Sequence, residues 1–222
     1  MSFIATATTG RNAVAKTRIA NKRMGSSQPA ATIGYFTTLN EDRTGWTGGL
    51  LILNGGGRPL EFQCTLPIRP TRAHEILFGA SLRQHLISEV IGPALLTKCR
   101  TPISILCCQQ PEALRLQASA VASDCHVALV APAAEEDEGP IDPNMVEGHG
   151  EITLNGTSLL VSLGRLDAVE SIAPHLADLA DVVEPFERIR DAIREAQSQT
   201  ARAAARTSGC RSQESDDHAE AA

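Results

Sequence analysis

Three stretches near the start of the chain, Tyr35–Leu39, Trp46–Asn54 and Leu60–Ile68, constrain its fold most. Each is short, apolar and rich in β-formers, and each is bounded by turn residues. Asn54-Gly55 is a strong hairpin signal because both residues tolerate positive φ. Leu60, Phe62 and Cys64 alternate with Glu61, Gln63 and Thr65, so one face is expected to be buried and one wet. The stretches therefore predict an antiparallel three-stranded meander, with turns at Asn40–Gly45 and Gly55–Pro59.

Helical sequence follows. Ala73, Ile76, Leu77 and Ala80 share a side. Ser81 and Gln84 form a capping-box pattern ahead of Leu82, Leu86, Val90 and Ile91. Gly92-Pro93 is expected to kink or end that helix. Ile103–Cys108 and His126–Val130 lack alternation, which suits interior strands covered on both faces. A short helix is expected between them, over Glu112–Ala118. Glu151–Leu163 reads as a second hairpin around Asn155-Gly156. Asp167–Gln197 reads as helix, divided at Pro174 and Pro185.

The expected fold class is thus mixed α/β, α+β-like in its opening meander, with helices and strands alternating afterwards. The expected organisation is a basic disordered leader over 1–32, an α/β core over 33–132 and an acidic linker or loop over 133–150. A hairpin with packed helices is expected over 151–197, then a disordered tail over 198–222. The leader carries Arg11, Lys16, Arg18, Lys22 and Arg23, and the first acid is Glu41. Three readings of it stay open: a leader from an overextended gene start, an organellar transit peptide, and a basic arm.

Charge is divided along the chain. Residues 1–132 hold 13 Lys/Arg against 7 Asp/Glu, whereas residues 133–222 hold 7 against 19. The halves differ in their attraction for polyanions. With no secretory h-region and no apolar run near the length of a membrane span, a cytoplasmic protein with reduced thiols is expected.

The order of elements up to residue 130 is three antiparallel strands, helix, strand, short helix, strand. Over about half the chain this resembles the opening of a ribonuclease-H-like fold. The resemblance implies a metal-dependent nuclease whose carboxylates hold a two-metal centre. The chain departs from that pattern. Tyr35–Leu39 has no acid inside, and the strand from Ile103 ends in Cys107-Cys108. Glu41, Asp42, Glu61 and Glu75 are the nearby carboxylates, and Glu61 and Glu75 read as solvent-facing. The usual centre is expected to be missing.

Other chemistry finds little support. There is no Cys-x-x-Cys, and adjacent Cys107 and Cys108 point to opposite faces of a strand. Gly55-Gly56-Gly57-Arg58 lacks both phosphate-loop patterns and reads as a hairpin turn. Glu135–Glu138 does not match an EF-hand loop. No Gly-x-Ser-x-Gly elbow is present. No catalytic residue, cofactor or metal is assigned. Arg43, Trp46, Arg58, Arg69 and Arg72 cluster around the meander as a candidate anion or ligand rim, with Trp46 as stacking partner.

The favoured expectation is a non-catalytic scaffold or interaction module rather than an enzyme. Its partner is a protein or its own copy, met through the sheet edge or the apolar C-terminal helix. The alternatives are a nucleic-acid-associated module using those arginines, and a divergent hydrolase lacking the carboxylate centre.

Overall fold

The computed structural model describes residues 31–119, 125–130 and 146–216. The leader, apart from its last two residues, most of the acidic linker and the end of the tail fall outside them. The expected meander forms from β1 (Thr32–Glu41), β2 (Gly45–Asn54) and β3 (Pro59–Cys64). The third strand stops short of Ile68. Pro67 has no N–H for a ladder, and Ile68 returns only as an isolated bridge to Trp46. Next come β4 (Ile105–Cys108), β5 (His126–Val130), β6 (His149–Leu154) and β7 (Thr157–Ser162).

All seven strands join one mixed sheet in the order β3-β2-β1-β4-β5-β7-β6. The β1–β4 and β4–β5 pairs are parallel, and the other pairs are antiparallel. The interior strands β4 and β5 are buried along nearly their whole length, as their unalternated apolar runs require. The five-strand order β3-β2-β1-β4-β5, antiparallel through the meander and parallel from β1 to β5, makes the fold ribonuclease-H-like in its own right.

Helices cover both faces. On one, Ile33, Tyr35, Cys107 and Val161 pack under Phe186, Ile189 and Ile193 of the last helix. On the other, Phe36, Ile52, Leu106 and Cys108 pack under Ile87, Ile91, Leu95 and Leu116. Consecutive residues such as Tyr35 and Phe36 serve opposite cores because side chains alternate across a strand. A glycine pair in β2 lets both layers close in. A Cβ at Gly48 would lie 2.1 Å from Ile91 Cγ2, and one at Gly49 would lie 2.4 Å from Ile189 Cγ2.

The helical stretch after β3 differs from expectation. Its capping box is at α1 (Arg72–Phe78): Thr71 Oγ1 accepts from the His74 backbone, and the His74 ring reaches back to Thr71 N. Ser81 caps nothing, and its hydroxyl donates to Phe78 O. The chain then winds through a 3₁₀ turn, one α turn and a π segment, His85–Ile91, into α2 (Gly92–Lys98). Gly92-Pro93 does not end the helix. It marks the change from π to α winding, where the wider turn tolerates a residue without N–H. After β4, Pro111–Ala118 form 3₁₀ turns.

After β7, α3 (Leu166–Ile172) leads through Ala173–Leu176 to the long helix α4 (Glu184–Asp216). Asp181 Oδ1 accepts from the Val183 and Glu184 backbones just ahead of it. Pro185 sits in the first turn, where no intrahelical donor is needed, so it starts this helix. The helix continues past Ser198, where fraying was expected. Ala, Arg and Gln have high helix propensity, and the buried Phe186, Ile189 and Ile193 anchor the first turns, so elongation is favoured.

Glu61 is not the solvent-facing residue that alternation suggests. Its carboxylate accepts from the backbone N–H of Arg100 (3.2 Å) and Thr101 (2.9 Å), clamping β3 to the segment that leads into β4. Burial alone would raise its pKa. The hydrogen bonds from Thr101, Gln63 and Arg100 outweigh that and hold it at about 2. A carboxyl depressed in the folded state stabilises above its unfolded pKa, and that contribution fades as pH falls through the folded value. The melting temperature of the native chain is therefore expected to exceed that of Glu61→Gln above about pH 4.5, with the gap closing toward pH 2. Thermal melts across pH read this directly, and a pH-independent gap would contradict it.

Candidate functional site

β1 and β4 lie side by side and parallel, but the chain leaves them in opposite directions. From β1 it turns back into β2; from β4 it crosses to β5. The carboxyl ends of β1 and β4 therefore flank a topological switch point, where open α/β sheets offer a crevice for ligands. The residues there are Thr37 and Thr38 on β1, and Gln109 and Gln110 directly after β4.

β4 ends before β1 does, leaving the Thr38 backbone without a strand partner on that side. The buried Gln110 side chain supplies one. Its Oε1 accepts from Thr38 N and its Nε2 donates to Thr38 O, both at 3.3 Å. Nε2 also donates to Thr37 Oγ1 (3.1 Å), and that hydroxyl in turn donates to Gln109 Oε1 (3.2 Å). Gln109 is thereby held with its carbonyl oxygen toward α4, where Arg190 Nη2 donates to it at 2.7 Å.

Helix periodicity brings a polar row to this end. Arg190, Arg194 and Gln197, spaced four and three apart, lie beside the apolar stripe of Phe186, Ile189 and Ile193. Gln197 Nε2 donates to Thr47 Oγ1 (3.0 Å), and Arg194 lies 3.9 Å from Glu41 and 3.3 Å from Asp191. Arg190 differs from its neighbours. It is half-buried, its bond is to a neutral amide, and among the described residues it has no carboxylate partner.

The other face of the same edge holds Trp46. The Arg83 guanidinium sits 5.9 Å from the centre of its ring and binds Glu112 at 2.6 Å. Arg69 Nε donates to Thr44 O (3.4 Å), and Arg43 is exposed in the turn between β1 and β2. The five rim residues thus divide. Arg43, Trp46 and Arg69 share the carboxyl edge. Arg58 lies at the opposite end of β2, in the Gly55–Pro59 turn, and Arg72 on α1 pairs with Glu75 at 2.9 Å.

The residues that meet at the switch point, Thr37, Gln109, Gln110, Arg190 and Arg194, were not among the expected site residues. A strand ending in Gln-Gln and a polar row beside an apolar stripe are their only signals in the sequence. The partnership itself joins positions 73 and 81 residues apart.

Among the described residues, the cysteines do not gather with histidine or carboxylate into a metal site. Cys107 belongs to one core and Cys108 to the other, and burial pushes the Cys107 thiol up to about 12. Among the described residues, no three of His, Cys, Asp and Glu are placed to hold a metal ion. The donors at the switch point, among the described residues, do not fit the two-metal centre implied by the fold. Divalent Mg²⁺ or Mn²⁺ wants anionic oxygen, and a hydroxyl, two amides and a guanidinium offer none. Of the carboxylates at this edge, Glu41 lies 3.9 Å from Arg194 and Glu112 binds Arg83.

No protein-family model matches the sequence, and no curated protein matches it. Among solved structures, the chain is similar to Ciona intestinalis Endonuclease V bound to a 23-mer DNA containing an inosine followed by a ribo-adenosine. The TM-score is 0.38 at 8% identity, covering 77% of this chain and 88% of that one. It is similar to human ENDOV, with TM-score 0.34, 14% identity and coverage of 77% and 87%. The Ciona enzyme with a 24-mer DNA gives 0.35, 11%, 77% and 89%. These are structures of an endonuclease, and the expected non-catalytic scaffold and the preference against an enzyme are withdrawn. The packing tells against the scaffold as well. The apolar stripe of α4, one of the two surfaces proposed to meet a partner, is sealed on the sheet, with Phe186, Ile189 and Ile193 fully buried.

Proposed function

We propose that this chain binds nucleic acid, taking the phosphodiester backbone along the carboxyl edge of its sheet. The observation that carries the reading is Arg190, a half-buried guanidinium at the switch point, oriented by Gln109 and lacking a carboxylate partner among the described residues. A guanidinium fork matches phosphate geometry, and fixing its rotamer in advance lowers the entropy lost on binding. Arg43 and Arg69 extend positive charge along the same edge, and Trp46 lies beside them. This supports the nucleic-acid alternative in a narrower form, with Arg43, Trp46 and Arg69 retained and Arg58 and Arg72 set aside.

Fluorescence anisotropy with labelled DNA and RNA, single-stranded and duplex, tests the reading. Affinity is expected to fall steeply with salt, as counterion release requires. Arg190→Ala is expected to weaken binding roughly tenfold, about 1.4 kcal/mol, and to reduce the salt slope by about one. Arg58→Ala, at the far end of the sheet, is expected to change affinity by less than about twofold. Equal losses for the two variants would place the ligand elsewhere. Absence of salt-dependent binding would end the proposal. Gel analysis of the same oligonucleotides reads whether strand scission accompanies binding.

A further inference from the structure

We infer that the switch-point site receives a phosphate group directly on protein N–H donors, with the Arg190 guanidinium supplying positive charge in place of a divalent cation. The inference deepens the nucleic-acid reading and rests on it for the identity of the ligand. Its ground is the chemistry of the donor set. In a metal site, carboxylates hold the cation and the cation holds the phosphate. Here the position on β1 is Thr37 and the positions after β4 are Gln109 and Gln110, all neutral.

Moreover, these groups are already committed to one another. Thr37 Oγ1 accepts from Gln110 and donates to Gln109, and Gln110 also pairs with both backbone groups of Thr38. Gln109 Oε1 takes a second donor from Arg190. Thr37, Gln109 and Gln110 themselves offer a cation no anionic oxygen. What remains is donor capacity: among the described residues Arg190 spends one N–H on Gln109 and keeps four, because a guanidinium carries five. The chain of amides and hydroxyl thus holds a cation at the switch point. Gln109 has the role of positioning Arg190, and Arg190 has the role of binding the anion.

The test uses the full chain with two probes, a fluorescein-labelled oligothymidylate and inorganic pyrophosphate, each in EDTA and in Mg²⁺ at matched ionic strength. Binding of the oligonucleotide is expected to agree within about twofold in the two buffers, because the charge is supplied by the protein. Arg190→Gln is expected to lower affinity about tenfold in both, and Arg190→Lys to recover only part of it, since the point charge stays and the fork is lost. Pyrophosphate in EDTA is expected to shift the Arg190 Nε–H signal in a nitrogen-correlated NMR spectrum, which reads the site even if a variant folds poorly.

Binding that requires Mg²⁺, or that is unmoved in Arg190→Gln, overturns the inference and leaves nucleic-acid binding standing. A pyrophosphate shift at Arg190 without oligonucleotide binding keeps the inference and overturns the nucleic-acid reading. Silence of both probes in both buffers overturns both.

Discussion

Replacing Phe186 by Ala is expected to cost about 3–5 kcal/mol of stability, the range for deleting a buried aromatic ring. Phe186 is fully buried, and its ring meets Tyr35 edge-on, with centroids 5.2 Å apart at 84°. That geometry adds to the area term. At roughly 2–4 °C per kcal/mol for a chain of this size, the melting temperature should fall by roughly 6–20 °C. The same ring anchors the helix turn that carries Arg190. Nucleic-acid affinity should therefore fall in Phe186→Ala well below the temperature of global unfolding. Thermal melts paired with anisotropy at low temperature read both effects. A stability loss under about 1 kcal/mol would mean that α4 does not seal this core.

Gly49→Val is the second large effect, and its sign is contested by local preference. Valine favours strands and glycine weakens them by roughly 0.5–1 kcal/mol, so propensity alone predicts stabilisation. Packing predicts the reverse. A Cβ at Gly49 would stand 2.4 Å from Ile189 Cγ2 and 3.0 Å from Ile193 Cδ1. Helix and sheet must then separate, at about 1–3 kcal/mol and more when two γ-methyl groups follow. The clash wins, and the lifted helix carries Arg190 away from Gln109, so binding falls too. Gly56→Ala is the matched control, because the nearest atom to its Cβ is Asn54 Oδ1 at 3.7 Å. Denaturant melts of the two variants separate the accounts: a stable Gly49→Val with full binding would refute this packing.

The meander was legible because its residues state their structure locally. The β-rich runs and the turn residues between them need no partner to be read. The alternation through Leu60 to Cys64 nevertheless gave the wrong face: Leu60, Phe62 and Cys64 are exposed while Glu61 and Gln63 are partly covered. The positive φ of the Gly55–Pro59 turn falls on Gly57. Also legible were the interior runs Ile103–Cys108, of which Ile105–Cys108 form β4, and His126–Val130. What escaped was decided between distant residues. The winding of His85–Ile91 depends on how Ile87 and Ile91 fit over Gly48 and β4, and no local pattern specifies a π segment. Glu61 looks like an outward strand residue until the Arg100 and Thr101 amides arrive from another part of the chain. The five-residue rim was grouped by sequence proximity, but the turns of a meander alternate ends. Arg58 therefore falls a full strand length from Arg43. Arg190 was invisible for the converse reason. In sequence it is one more arginine on an amphipathic helix, and it becomes distinct only when Gln109 meets it.

The most direct test of the account is amide hydrogen exchange of the full chain with and without bound oligonucleotide. The account predicts slower exchange in the Glu41–Gly45 turn and across Gln109–Glu112, and no change in the Gly55–Arg58 turn at the opposite end of the sheet. Protection at Gly55–Arg58 with none at the carboxyl edge would contradict it.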